Sequence, residues 1–316
     1  MSKKKNIFLW VISLVIMMSI YTYQKRTGPT YPIRGEIELN DQEYDYELLR
    51  THGGRGDAEV ILPFPKETIV KYEYRRFKSY DSLTTKILNY NEEKKAFIAY
   101  IPHQPPAGKV QYKISIQDDS DSKSLHEEEW VLIRFKGGVP AFIIYPHIFF
   151  MFFGMWISVR SGAEALNKGK HTYKLAVVSV IFFFCGAFIL GPFVQKYAFG
   201  EFWTGWPWGT DLTDNKVAVS LLFWIIALVV SKYKPKLMEK LVFTAVCVQF
   251  LVFIIPHSMF GSEIDFRKIE DSKNVKIDQK LLERSNARSK QELIEQKTQD
   301  TIENNNSIYE NKDKEE

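Results

Sequence analysis

The sequence is poor in cysteine. The 316-residue chain has two, Cys185 and Cys247, and both lie inside apolar runs without a CxxC pair or a Cys/His spacing typical of a metal site. No cysteine falls in the polar segment between the first two apolar runs, so a domain formed there is stabilised by packing without a disulfide. We expect both thiols to behave as small buried hydrophobic side chains.

Several signals of function are also missing. The sequence contains no nucleophile–base motif, no phosphate-binding glycine loop and no HExxH zinc motif. The net charge of +4 comes without a basic stripe, so nucleic acid is not an expected partner. Binding is therefore favoured over catalysis. An enzymatic alternative stays open, in which acid–base groups would be drawn from His147, Asp211, Asp214 and Glu263.

Long apolar runs and aromatic residues are abundant instead. Of the 23 Phe, 12 lie between Phe142 and Phe202, a distribution that excludes an ordinary soluble α/β enzyme. Each apolar run predicts a membrane-spanning helix, so the lipid bilayer is the first expected partner. The first run is interpreted as an uncleaved anchor because it lacks small residues at a cleavage spacing, and a cleaved signal peptide is the alternative. The five runs are Ile7–Tyr23, Pro140–Val159, Tyr173–Leu190, Val217–Val230 and Leu241–Ile255.

The charge of the connecting segments predicts an orientation. Lysine and arginine concentrate on the cytoplasmic side of membrane proteins. They are found here at the N-terminus, after the second run (Arg160, Lys168, Lys170, Lys174) and after the fourth (Lys232, Lys234, Lys236, Lys240). We therefore predict a multi-pass protein of the bacterial cytoplasmic membrane with its N-terminus inside and its C-terminal tail outside. The predicted parts are a cytoplasmic start (1–6), an anchor (7–24), an extracytoplasmic domain (30–137), a four-span bundle (140–260) and a polar tail, partly helical or disordered (261–316).

The segment 30–137 has the pattern of an all-β domain. Short runs of alternating apolar and polar residues are separated by turn residues such as Gly53-Gly54 and Pro105-Pro106, which predicts an antiparallel sandwich. The whole fold class is thus a membrane α-helical bundle plus an all-β extracytoplasmic domain. The predicted strands are Glu36–Leu39, Ala58–Leu62, Ile69–Tyr74, Lys95–Ile101, Val110–Ile116 and Trp130–Phe135.

Part of this segment resembles a known module. Residues 74–112 include Ala99-Tyr-Ile-Pro102, a Pro-Ala-Gly turn at 106–108 and Val110-Gln-Tyr112, and they resemble immunoglobulin-like or fibronectin-type domains. The resemblance implies a domain that binds or spaces other molecules, with an envelope protein as its partner. One alternative function follows, in which the chain is a non-catalytic assembly protein and the bundle only anchors the sandwich.

The most unusual segment is the predicted outer loop 192–216. It holds three of the seven Trp within six residues, together with several Gly and Pro. Asp211 and Asp214 stand just before the fourth span, where they are expected to cap its helix. Two histidines, His147 at the start of the second span and His257 after the fifth, are predicted on the same outer side. We expect an aromatic and histidine site for a cofactor or small ligand, formed by His147, His257, Trp203, Trp206, Trp208, Asp211 and Lys216.

The loop also resembles a known heme-binding signature. Its pattern Gly200-x-Phe-Trp-x-Gly-Trp-x-Trp-Gly-x-Asp211 is similar to the tryptophan-rich loop of heme-handling proteins of cytochrome c maturation. That resemblance implies heme, with His147 and His257 as the flanking pair; quinone and a metal ion are the other candidate ligands. The alternative for these residues is an interfacial anchor without a ligand. Residues 140–265 also resemble a bacterial multi-spanning membrane family, which implies no function.

Overall fold

The computed structural model describes residues 2–118, 121–126, 130–256, 261, 263–274 and 276. The chain divides into two compact units. The first consists of Met1–Phe77 and Asp81–Ile264 and contains the long helices and the sheets; the second consists of Lys78–Tyr80 and Asp265–Glu316.

Within the described residues, five helices are long and apolar enough to cross a membrane. They match the five predicted apolar runs, and each extends beyond its run because the flanking polar residues continue the helix. The third and fifth are built of several segments. Their elements are α1 (Lys3–Thr27), α2 (Ala141–Leu166), α3 (Thr172–Phe184), a π-helical segment (Cys185–Leu190), α4 (Gly191–Phe199), α5 (Leu212–Tyr233), a 3₁₀ turn (Pro235–Leu237) and α6 (Met238–Ile254).

The third helix does not end at Gly191-Pro192, as its sequence suggests. The chain stays helical from α3 through α4, because a proline in the first turn of a helical segment requires no backbone N–H there. The helix ends at Gly200, whose φ of 95° is left-handed and favours glycine. The predicted loop 192–216 is therefore shortened to residues 200–211.

Small and polar residues let α2 pack closely against its neighbours. A Cβ added to Gly154 would lie 3.1 Å from the backbone N of Phe183, and the carbonyl of Gly154 accepts a hydrogen bond of 3.0 Å from Ser179 Oγ. One turn later, Ser158 Oγ donates to Gln249 Oε1 of α6 at 2.5 Å. The small-residue stripe at 154 and 158 therefore marks the face on which α2 contacts both α3 and α6.

A buried ion pair lies farther along α2. The side chains of Arg160 and Glu164, one turn apart, are 3% and 2% exposed, and Nη2 of the first lies 2.7 Å from Oε2 of the second. The guanidinium also donates to Asn6 Oδ1 of α1 at 2.8 Å. The sequence places Arg160 in a cytoplasmic loop. That prediction is wrong, because α2 continues to Leu166 and this arginine packs inside the bundle.

The described part of the β region consists of eleven strands in two sheets and a hairpin. One sheet has the order β3-β11-β9-β5-β6 with β10 beside β9, the other has the order β4-β8-β7, and β1 pairs with β2. All three contribute to one core of buried apolar side chains. The strands are β1 (Ile33–Leu39), β2 (Gln42–Leu48), β3 (Thr51–Gly53), β4 (Ala58–Leu62), β5 (Ile69–Arg76), β6 (Thr84–Ile87), β7 (Tyr90–Asn91), β8 (Ala96–Ile101), β9 (Lys109–Asp118), β10 (Asp121–Ser124) and β11 (Val131–Lys136).

The sheets differ from the predicted sandwich in two respects. The pair of β3 and β11 is parallel, whereas the sequence predicts only antiparallel pairing. The predicted strands also miss β2, β3, β6, β7 and β10. The longest of these is β2, whose sequence Gln42-Glu-Tyr-Asp-Tyr-Glu-Leu48 is mostly polar. This strand pairs along its whole length with β1, and the tyrosines at 44 and 46 pack against the core.

The β region contacts one end of the helices. The backbone N–H of Gly137 donates to the carbonyl of Ala198 in α4 at 3.0 Å. Beyond α6, the chain returns to the same region, where Ile264 N donates to Ala107 O at 3.2 Å. Lys109 Nζ also lies 2.6 Å from Glu263 Oε2. The start of α2, the end of α4 and the end of α6 therefore lie on the side that carries the sheets.

The second unit includes the first part of the predicted polar tail. Residues 266–274 and 276 are helical. Arg267 N donates to Lys78 O at 3.0 Å, and the Tyr80 hydroxyl lies 3.3 Å from Asp271 Oδ2. The tail from 277 to 316 lies outside the described residues.

Candidate functional site

A cavity of about 160 Å³ lies where the helices meet the β region, and we call it the junction cavity. Its walls come from β11, α2, the π-helical segment, α4, the loop 200–211 and the start of α5. Three residues predicted from sequence, His147, Trp203 and Asp211, line it together. Its other polar lining residues are Arg134, Gln195, Thr213 and Asp214.

His147 is fixed by the unusual helix opposite it. Its Nδ1 lies 2.9 Å from the carbonyl oxygen of Gly186, in the π-helical segment. A carbonyl can only accept, so Nδ1 carries the proton and Nε2 carries the lone pair. Nε2 makes no hydrogen bond within the described part of the chain. The ring is thus oriented with one acceptor nitrogen available to a ligand. A backbone carbonyl that holds the other ring N–H in this way also orients the histidines that bind metal ions.

The π-helical segment explains how Gly186 reaches the histidine. A π-helix inserts an extra residue into the helical turn and is frequent at functional sites. The Gly186 carbonyl accepts the N–H of Gly191 within this turn as well as His147 Nδ1. A Cβ at Gly186 would lie 3.1 Å from the backbone N of Met151, so only glycine allows this approach to α2.

Asp214 organises the loop 200–211. Its Oδ2 accepts hydrogen bonds from the backbone N of Thr204 at 2.7 Å and from Gln195 Nε2 at 3.0 Å. Asp211 is the N-cap of α5, as the sequence predicts, and its Oδ1 accepts from Thr213 N at 2.8 Å. Both carboxylates therefore shape the cavity wall by satisfying N–H groups of the loop and the first helical turn.

The three tryptophans of the loop do not form one stacking surface. Trp203 lines the junction cavity, and its ring centroid lies 5.9 Å from that of Phe188. Trp206 and Trp208 are 78% and 81% exposed, and neither lines this cavity. The turn at 205–209 directs them away, with Trp208 N donating to Gly205 O at 3.0 Å. Trp206 and Trp208 therefore do not join Trp203 in the junction cavity.

Lys216 has a structural role. Its Nζ donates to the carbonyl oxygens of Ile255 at 2.6 Å and Pro256 at 3.4 Å, at the end of α6. A cation there satisfies carbonyls that have no partner within the helix and offsets the negative end of the helix dipole. Lys216 does not line the junction cavity. His257, the second predicted histidine, lies outside the described residues.

The sequence did not identify Arg134, which brings a charge from the β region into the site. Arg134 is 5% exposed, and its guanidinium carbon lies 3.9 Å from the centroid of the Phe199 ring. Burial lowers the pKa of Arg134 to about 10, while the charges of Asp211 and Glu263 act in the opposite direction. The guanidinium stays charged at neutral pH. The sequence feature that could have identified it is its position as the single charged residue in the apolar run Trp130–Phe135.

The junction cavity does not fit heme, and the described residues do not fit a metal ion. Among them, no group of three His, Cys, Asp or Glu side chains is arranged to hold a metal. The junction cavity of about 160 Å³ is also smaller than the roughly 300–1,000 Å³ typical of sites for cofactor-sized molecules. Its size and polar groups suit a smaller ligand, on the scale of one polar ring.

Comparison with known proteins gives no match: no family model, no curated protein and no solved structure is significantly similar to this chain.

Proposed function

We propose that the chain is a multi-pass protein of the bacterial cytoplasmic membrane whose junction cavity binds a small polar ligand on the outer side. The observation that carries the proposal is the convergence of Arg134, His147 and Asp211, from three separate parts of the chain, on one cavity. In this proposal the N-terminus is inside, and the β region, an immunoglobulin-like sandwich, is outside with the C-terminal tail.

The placement is supported by the helices and by the charges between them. Five helices have the length and hydropathy needed to cross a bilayer. The sheets contact the ends of α4 and α6 on one side. The other ends of the helices, with the connections between them, carry lysines 168, 170, 174, 232, 234, 236 and 240. This distribution follows the positive-inside rule with the β region outside.

The proposed orientation predicts which cysteines a membrane-impermeant maleimide reaches. In a variant without Cys185 and Cys247, we expect Glu67→Cys in the β region to be labelled in intact spheroplasts. Lys236→Cys, between α5 and α6, is expected to be labelled only after lysis. Both native residues are exposed, so accessibility within the protein is matched. Labelling of Lys236→Cys in intact spheroplasts would contradict the orientation.

Among the candidate ligands, the chemistry favours the reduced ring of a quinone. A hydroquinone hydroxyl can donate to His147 Nε2, which carries a lone pair because Nδ1 donates to Gly186. The other ring oxygen can accept from the charged guanidinium of Arg134, and Trp203 offers an aromatic face. The ring fits a cavity of this size, whereas heme does not.

A binding titration tests this assignment. We expect a short-chain hydroquinone to quench the tryptophan fluorescence of the purified protein saturably, and the oxidised quinone to bind more weakly. His147→Ala removes one hydrogen bond and is expected to weaken hydroquinone binding about tenfold. Hemin is expected to produce no new absorbance band.

His103→Ala is the matched control, since His103 lies in the β region, where its Nδ1 is 3.0 Å from Gly56 O, and does not line the cavity. The proposal fails if hydroquinone binding is absent, or if His147→Ala and His103→Ala have the same affinity as the unaltered protein.

A second candidate function is an envelope interaction protein in which the β region docks a partner. The observation that favours it is the edge strand β6, which pairs only with β5 among the described strands and exposes Leu83 and Ile87 at its ends. Such an edge can accept a strand from another protein. Absence of ligand binding in the titration would leave this function as the better one.

A further inference from the structure

A second recess lies among α1, α2 and α6, and we call it the helix groove. It has a volume of about 300 Å³ and borders the junction cavity, with which it shares His147 and Met151. Its apolar wall is formed by Met17, Ile20, Ile148, Met151, Phe152, Met155 and Phe253.

The helix groove is polar at one end only. Gln24, Lys25 and Thr30 line the end at which α1 stops, whereas Met17 lies two turns earlier in the helix. From Met17 to Lys25 a helix rises about 12 Å, which gives the apolar part the length of a short stretch of hydrocarbon chain. The groove therefore matches an amphiphilic ligand, whose polar headgroup would lie at the polar end and whose hydrocarbon tail would lie along the apolar part.

The positive charge at the polar end favours an anionic headgroup. Among the described residues, Lys25 is the one charged side chain that lines the groove, and no carboxylate of this part of the chain pairs with it. The neighbouring amide of Gln24 is already held by the carbonyl of Phe253, to which its Nε2 donates at 2.6 Å. A headgroup with a net negative charge would neutralise the ammonium, whereas a zwitterionic headgroup already carries its own cation beside the phosphate and would gain less.

The apolar wall suits a flexible tail. Three of its seven residues are methionines, whose unbranched and polarisable side chains adapt to irregular apolar partners. We propose that the helix groove binds an anionic phospholipid, with one acyl chain along Met17 and Met155 and the phosphate against Lys25. This inference rests on the proposed membrane placement and not on the ligand of the junction cavity.

Lipid titration of the full-length protein in detergent, read by native mass spectrometry, tests the inference. We expect phosphatidylglycerol to bind more tightly than phosphatidylcholine with the same acyl chains. Lys25→Gln is expected to weaken phosphatidylglycerol binding about fivefold and to weaken phosphatidylcholine binding less, because the choline ammonium already offsets the charge of that phosphate. Ile20→Trp fills the groove and is expected to remove binding of both lipids; its melting temperature reports whether the variant is folded.

Arg26→Gln is the matched control, because Arg26 is the next residue, is equally exposed and does not line the groove. Equal affinity for the two lipids overturns the inference, as does an equal loss in Arg26→Gln and Lys25→Gln, which would indicate attraction to surface charge alone. Recovery of the protein in the soluble fraction after lysis would instead contradict the membrane placement.

Discussion

Replacing Glu164 by alanine is expected to lower the free energy of unfolding by about 3–5 kcal/mol, because it leaves an arginine charge buried without its partner. The side chains of Arg160 and Glu164 are 3% and 2% exposed, and the pair lies inside an apolar helix packed against α1. Two N–H groups of the arginine, Nε and Nη1, have no acceptor among the described residues, so little remains to compensate its charge. Unfolding of the detergent-solubilised protein, followed by circular dichroism, measures the loss.

The double variant Arg160→Leu, Glu164→Leu separates the charge from the packing. Replacing both charges of a buried pair with apolar side chains of similar volume is often neutral, so we expect most of the stability to return. The account is contradicted if the free energy of unfolding of the single variant Glu164→Ala lies within about 1 kcal/mol of that of the unaltered protein, as expected for an exposed pair.

Trp224→Ala is expected to cost about 3–5 kcal/mol, the range for truncating a large buried aromatic side chain. The Trp224 ring is 0% exposed, and it packs among α2, α3 and α6 in the core that includes Ala165, Ala176 and Val246. Its Nε1 also donates to Gln249 Oε1 at 2.8 Å, so the variant weakens a buried polar contact as well. The same unfolding measurement applies.

Two further tryptophan variants serve as controls. Trp224→Phe keeps most of the ring volume and is expected to cost only about 1–2 kcal/mol, the effect of the lost hydrogen bond. Trp208→Ala removes an exposed ring and is expected to change stability by less than about 0.5 kcal/mol. If Trp224→Ala and Trp208→Ala lower the free energy of unfolding equally, burial of the ring in the helical bundle does not determine the loss of stability.

The sequence determined the existence and type of the long helices and most of the strands. An apolar run of this length can satisfy its backbone groups in an apolar setting only by coiling into a helix, so the five runs predict five helices. Asp211 was predictable as a helix cap for a similarly local reason, since its carboxylate bonds to Thr213 two residues later. The strand β2 was not predictable, because the residues of its inward face are tyrosines that alternate with charged residues.

The site was only partly predictable because its residues meet through tertiary packing. Nothing near Arg134 in the sequence indicates that its strand ends beside Phe199 of α4, yet this contact brings its charge to the junction cavity. The exposure of Trp206 and Trp208 depends on how the loop folds onto Asp214. His147 was recognised from its position near the start of an apolar run, but the π-helical carbonyl that orients its ring lies 39 residues away. Local patterns thus specify the elements, whereas the faces they present to one another depend on packing between distant segments.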